Sequence, residues 1–392
     1  MHRRFILPLI VIAQFCCTSL WFAGNGVMAD LVTTFDLSDS ALGNLTSFVQ
    51  FGFIAGTLAF ATLTIADRFS PSRVFFVSAI LGALFNLGVI WGGNTIVSLL
   101  ALRFLTGFFL AGIYPVGMKI ATDYFEKGLG KSLGFLVGAL VIGTAFPHLL
   151  KGYSASISWE WLIVATSALA SLGGVLMVLF VPNGPYRTAG KGVDLSAFFR
   201  VFDNKKFRAA AFGYFGHMWE LYAFWAFVPV ILSTYNTLHP AAGLNVARWS
   251  FFIIAIGGIA CVIGGYLAQK IGTKKTASVA LLLSGMCCLL VPFMFGLAHA
   301  GVFIGFLLFW GMVVIADSPL FSTLVAQNAS PAIKGTALTI VNCIGFSITI
   351  ISIQLLAFLN EHTDTYFFYA MLVVGPILGL WALYGEGAKS TG

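Results

Sequence analysis

Charge is what this sequence has least of. Only 9% of its 392 residues are Asp, Glu, Lys or Arg, against 59% hydrophobic residues, and the mean hydropathy is +0.95. That balance excludes an ordinary soluble domain. The formal charge of +7 does not indicate a nucleic-acid binder, because such proteins gather their basic residues on a water-exposed domain and this chain has almost none. The six cysteines, Cys16, Cys17, Cys261, Cys287, Cys288 and Cys343, all fall in apolar runs without the spacing of a disulfide framework or a zinc site. They read as small buried hydrophobes. No small-residue cleavage site follows the start MHRRFILPLIVIAQFCCTSLWFAG, so its apolar run is read as a membrane span and not as a leader. An enzyme is not expected, since no nucleophile lies with a base and no metal cluster has usable spacing. No cofactor is expected either.

What the chain does have is long apolar runs. A helix needs roughly 20 residues to cross about 30 Å of hydrocarbon. Windows of that length fall at 5–29, 41–66, 73–92, 96–119, 131–151, 160–181, 210–233, 246–268, 274–297, 301–326, 335–359 and 364–385. The expected architecture is therefore an all-α integral membrane protein of twelve transmembrane helices. With the N-terminus inside, all of the 21 basic residues except Arg103, Lys151 and Arg248 fall in inside segments, as the positive-inside rule requires. Both termini are expected to be cytoplasmic, in the bacterial inner membrane. The longest polar interval begins at residue 182. It divides the chain into a six-helix bundle at 1–181, a cytoplasmic linker at 182–209 and a second six-helix bundle at 210–392, a duplicated plan common in secondary transporters.

Two short loops carry a family resemblance. The first, ADRFSPSR at residues 66–73, follows span two, and GYLAQKIGTKK at 265–275 follows span eight. Both resemble the major facilitator signature G-x3-D-R-x-G-x-R-R/K. The second copy matches at Gly265, Lys270, Gly272, Lys274 and Lys275, with Gln269 in place of the acid. The first keeps Asp67, Arg68 and Arg73 but has Leu63 and Ser70 where the family favours glycine. RFLTG at 103–107 resembles the family's arginine-plus-glycine motif. The resemblance implies two pseudo-symmetric bundles rocking about a central site lined by spans 1, 4, 7 and 10. It implies gating by Asp67, Arg68, Arg73, Gln269 and Lys270, with Asp67 capping span eleven near Thr336, where a helix N-terminus favours a carboxylate. Span five has Gly134, Gly138 and Gly143 but lacks the Gly-Pro pair of the family's antiporter motif, since Pro147 lies too far along, and drug–proton exchange is less favoured.

Few ionisable groups lie within the spans. An ionised side chain at mid-membrane costs at least about 2.5 kcal/mol, so such groups face protein or a water cavity and tend to be functional. Arg103, His217, Glu220 and Asp317 are the candidates. On span seven His217 and Glu220 share a face, because residues three apart are helical neighbours, and a carboxyl beside a histidine in a cavity can titrate as proton coupling requires. Asp317, just before Pro319, is the third proton-coupling candidate. Arg103 forks toward carboxylates and is a candidate for binding an anionic substrate. The stripe Gln14, Thr18, Trp21 and Asn25 on span one, with Thr339, Asn342 and Thr349 on span eleven, suggests a cavity wall. Gln14, Trp21, Asn25 and Asn342 join Arg103 as substrate-binding candidates.

Each candidate also has a structural reading. His217 with Glu220 would make a static hydrogen-bonded pair, Asp317 a neutral helix-to-helix link, and Arg103 a permanent inter-helix clamp. The leading expectation is a monomeric secondary transporter of a small, anionic solute coupled to protons. The alternatives are a proton-driven exporter of amphipathic compounds and a copper transporter using His217, Met218 and the Cys16–Cys17 or Cys287–Cys288 pairs, which share no single face.

Overall fold

The structure, a computed structural model, describes residues 5–38, 40–125, 129–153, 158–187, 200–330 and 334–385. Arg3, Arg4, Lys127, Lys191, Lys389, both termini and the linker over 188–199 lie outside the described residues, as do the inside positions expected of them.

The first half runs α1 (Ile6–Thr18), α2 (Ala23–Gly26), α3 (Met28–Phe35), α4 (Ala41–Thr62), α5 (Ile65–Arg68), α6 (Pro71–Gly88), α7 (Ile96–Leu110), α8 (Tyr114–Tyr124), α9 (Leu129–Tyr153) and α10 (Trp159–Phe180). The second runs α11 (Lys205–Leu238), α12 (Val246–Ile271), α13 (Thr273–Met294), α14 (Ala300–Ala316), α15 (Ser318–Asn328), α16 (Lys334–His362), a 3-10 turn at Tyr366–Val373 and α17 (Val374–Gly385). Among the described residues there is no strand. Among the described residues, eleven helical stretches are long and apolar enough to cross a membrane, and Ile6–Thr18 is a shorter apolar helix at the position of the expected first span.

The local chemistry explains the ends. Thr95 and Ser98 form a capping box at the start of α7, Asn204 accepts from the N–H groups of Lys206 and Phe207 at α11, and Asn245 accepts from Arg248 at α12. α11 therefore begins at Lys205, several residues before the expected 210, and takes the end of the expected linker into a helix.

Four spans differ from the single α-helices expected of them, the twelfth because its first 8 residues, Tyr366–Val373, form a 3-10 helix ahead of α17. The fourth breaks at residues 111–113, where Pro115 starts α8. The tenth breaks at Asp317, where Pro319 starts α15. In both, a proline is favoured in the first turn of the new segment and cannot continue the old one. The first span breaks at residues 19–22 without a proline, and its expected window 5–29 holds α1, a turn and α2.

The helices approach closely through glycine. A Cβ at Gly52 of α4 would strike the Phe104 carbonyl of α7, and one at Gly107 would strike the Val49 carbonyl in return. Gly138 and Gly258 let α9 meet α12, and Gly216 and Gly375 let α11 meet α17. The α9–α12 contact joins the two halves. So does α4 against α16, where the Gln354 amide donates to Asn44 Oδ1 at 3.2 Å and to Ser47 Oγ at 3.0 Å.

Candidate functional site

A cavity of about 540 Å³ lies between α4, α8 and α9 of the first half and α11, α15 and α16 of the second. Its mouth holds Asp67, Lys119 and Lys334, so it opens on the face that carries the 66–73 and 265–275 loops, the loop face. At the opposite, far face the Asn44, Ser47 and Gln354 contact closes α4 on α16.

Deeper in, the cavity wall is aromatic and aliphatic with scattered hydroxyl and amide groups. Tyr214 donates to Asn342 Oδ1 at 3.2 Å, and both line the cavity. Tyr222 and Phe346 form its inner end, with ring centroids 5.3 Å apart. Trp21 packs against both, at 5.7 and 5.8 Å, and Phe53 lies 4.5 Å from Phe346. The aromatic residues thus form a roof. Among the described residues the only charged side chains on the cavity wall are the three at the mouth.

The intramembrane charges stand behind that wall, fully buried. His217 and Glu220 do not pair, contrary to the expectation from their spacing. His217 Nδ1 lies 2.8 Å from Asp317 Oδ1, an ion-pair separation in which the ring N–H is not aligned on the oxygen. Glu220 accepts from the Ser284 hydroxyl and from Cys288 Sγ at 3.2 Å, both on α13. The reason is the crossing of α11 over two different partners. Its His217 edge meets the break of span ten, while its Glu220 edge meets α13, which contributes nothing to the cavity.

Asp317 sits where α14 ends and α15 begins, and its carbonyl accepts from Leu320 at 2.9 Å and Phe321 at 2.8 Å. Its chain neighbours Ile315 and Ser318 line the cavity, so the His217–Asp317 pair lies one residue behind the wall.

Arg103 is also outside the cavity. Its Nη2 donates to Trp21 O at 2.6 Å and Leu20 O at 3.4 Å, while Nη1 donates to Asn86 Oδ1 at 3.2 Å and Leu20 O at 3.4 Å. It satisfies the carbonyls freed by the break in span one, which a bilayer interior would otherwise leave without donors. Asn86 in turn donates to Ser167 Oγ at 2.9 Å. These bonds join α7 to span one and, through Asn86, to α6.

Of the other expected substrate residues, Asn342 alone lines the cavity. Trp21 Nε1 donates to Gln50 at 3.3 Å and Asn25 to Thr46 at 2.8 Å, tying span one to α4. The buried Gln14 amide makes no hydrogen bond and lies where a side chain at Gly117 would go.

At the mouth Asp67 pairs with Lys119 at 2.8 Å, within its own half. Asp67 and the start of α16 at Lys334 both line the cavity. Arg68 Nε donates to Thr64 Oγ1 at 3.0 Å, and Thr64 carries a left-handed φ of 51° next to Leu63, where the family favours glycine. Arg187 donates to the carbonyls of Asp67 and Phe69, both at 2.8 Å, and so fastens the loop from the start of the linker. Arg73, Gln269 and Lys270 are exposed on the loop face. Lys119, Arg187 and Ser284 were not foreseen, nor was Cys288 as a partner of Glu220, and a buried acceptor such as Glu220 implies donors without saying which. His217 and Cys288 each face a carboxylate, and among the described residues no three His, Cys, Asp or Glu side chains converge.

Residues 10–353 match the family model of the Major Facilitator Superfamily. A bicyclomycin resistance protein homolog of Haemophilus influenzae is 22% identical over 89% of this chain and 88% of its own length. An efflux pump, FUB11, of Gibberella moniliformis is 25% identical over 45% of this chain. The match covers 30% of that pump's length, so the aligned part is under a third of it. Among solved structures, a D-xylose–proton symporter superposes with a TM-score of 0.79 at 14% identity, covering 98% of this chain and 97% of its own, a likeness of fold alone.

Proposed function

The chain belongs to the Major Facilitator Superfamily, and from that membership we propose a secondary active transporter that moves a small uncharged or amphipathic solute by alternating access. In this reading residues 1–181 and 210–392 are the two rocking bundles, the central cavity is the solute site and the loop face is cytoplasmic. The conformation described is then the inward-open one, in an inner membrane. The basic residues crowded on the loop face support that orientation.

The observation that carries the choice of solute is the distribution of charge. Every charged group on the described cavity wall stands at the mouth, and the deep wall offers aromatic faces, methyl groups and a few hydroxyl or amide partners. An anion would have no deep cation to meet, because Arg103 does not line the cavity and its two Nη groups donate to the Leu20 and Trp21 carbonyls and to Asn86. The pairing of the cavity with His217 and Asp317 behind it supports proton coupling through those two residues, with Glu220 as an anchor to α13. The bicyclomycin resistance and efflux relatives are compatible with export.

A thermal-shift screen of the purified protein tests the solute class, since a ligand that binds the folded state raises its apparent stability. Uncharged aryl glycosides and aromatic amphiphiles should raise the melting temperature and gluconate should not. Stabilisation by gluconate alone would overturn the assignment. It would favour a second reading, a small organic anion met at the mouth by Lys334, which lines the cavity.

A further inference from the structure

On the lipid side of the α9–α12 seam two hollows adjoin, sharing Phe135 and Val262 in their walls. The one nearer the loop face, about 210 Å³, is bounded by α9, α12, α15 and Thr273, and offers the polar side chains of Tyr266, Gln269 and Thr323. The other, about 450 Å³, runs deeper between α1, α9 and α12 and is lined only by apolar residues. Gly138 and Gly258 meet there and supply no side chain to fill it. From Gln269 to Gly258 the two hollows follow about 17 Å of helix at 1.5 Å per residue, a length suited to an acyl chain. Neither shares a lining residue with the central cavity, so an occupant arrives from the bilayer.

The polar end is basic and unbalanced. No Asp or Glu occurs in the sequence between Glu220 and Asp317. In the first signature loop Asp67 neutralises Lys119. In the second, Gln269 stands at the acid's place, and among the described residues no carboxylate is in ion-pair reach of Lys270, Lys274 or Lys275. Lys274 lies over the Tyr384 ring at 4.7 Å. Lys270 and Lys275 are exposed and flank Gln269 and Thr273 in the chain.

We infer that this seam is a binding site for one phospholipid with an anionic headgroup. One acyl chain fills the apolar hollow against Phe135 and Val262, and the phosphate meets Lys270 and Lys275 beside Gln269. The occupant touches α9 of one half and α12 and α15 of the other, so its binding belongs to the conformation in which these helices are in contact. The site is independent of which solute the central cavity takes.

Native mass spectrometry of the full chain in detergent, titrated with palmitoyl-oleoyl phosphatidylglycerol or the matching phosphatidylcholine, tests it. One phosphatidylglycerol should be retained per chain in preference to phosphatidylcholine. Lys270→Gln and Lys275→Gln should each weaken retention about fivefold, the effect of one basic residue near an anionic lipid surface. Val262→Trp, which fills both hollows, should abolish it. Should the tryptophan variant fail to fold, the lysine variants, altered only at exposed side chains, decide the matter. Equal retention of the two lipids, or lysine variants that retain phosphatidylglycerol like the wild type, would overturn the site. Inorganic phosphate competing as well as the lipid would overturn it too, by reducing it to an anion site.

Discussion

Two buried carboxyl groups three residues or one helix apart from His217 have different surroundings, and those surroundings divide the work between them. Asp317 stands at the break of span ten, one residue behind the cavity wall, with His217 at 2.8 Å. Glu220 is held by Ser284 and Cys288 on the side of α11 turned away from the cavity. Asp317→Asn should therefore abolish accumulation driven by an imposed pH gradient in proteoliposomes while leaving solute exchange at equal pH intact. Glu220→Gln should keep gradient-driven accumulation and lower the melting temperature. The reverse pattern would move the coupling site to Glu220. Arg103 is separable in the same way. Its removal leaves the Trp21 carbonyl without its donor and the Leu20 carbonyl with only the long contact from Ala23 N–H at 3.5 Å, and with hydrogen bonds to a charged group worth about 1.5–3 kcal/mol, Arg103→Ala should markedly lower the melting temperature. A variant of unchanged stability with weakened gluconate binding would return Arg103 to the solute site. The four intramembrane charges were legible in the sequence because their cost in hydrocarbon is a matter of composition. Their pairing was not, since a spacing of three places His217 beside Glu220 on one helix but says nothing of which neighbouring helix each edge will meet.

At the scale of helices, the windows read from hydropathy agree closely with most of the spans, and the disagreements have causes. Pro115 and Pro319 signal the breaks in spans four and ten in the sequence itself. The break in span one has no such signal, because what holds it open is a guanidinium from α7, distant along the chain. Glycine carries the remaining specificity. Gly107→Val would drive a side chain into the Val49 carbonyl, where a rigid backbone cannot yield, and should give no monodisperse protein on size-exclusion chromatography. Gly305→Ala in α14 meets nothing within 4 Å. It should be neutral or stabilise by about 0.5–1 kcal/mol through the helix preference of alanine over glycine. A destabilised Gly305→Ala together with a well-folded Gly107→Val would mean that α4 and α7 are not in this contact in the folded protein.

For the molecule as a whole, the question is what holds the far face shut while the loop face stands open. Gln354 bridges Asn44 and Ser47, Arg248 of α12 lies over the Tyr153 ring of α9 at 4.8 Å, and Gly43 lets α4 close on Ala357, a Cβ there coming within 2.7 Å of the alanine methyl. Bulk at residue 43 should therefore oppose far-face closure without touching the cavity. Overpacking costs about 1–3 kcal/mol, and 1.4 kcal/mol is about a tenfold shift between two conformations. Gly43→Leu should accordingly move the population toward the state open at the far face, in which the mouth beside Asp67 and Lys334 narrows. The population can be followed at Ser322, which lines the open cavity. In a Ser322→Cys background, the rate of alkylation by a bulky water-soluble maleimide should fall when Gly43→Leu is added, by about fivefold from equally populated states, with the melting temperature little changed. A rate that stays constant would mean that the α4–α16 contact does not set the conformational balance. The aromatic roof and the α9–α12 seam would then have to hold the far face closed.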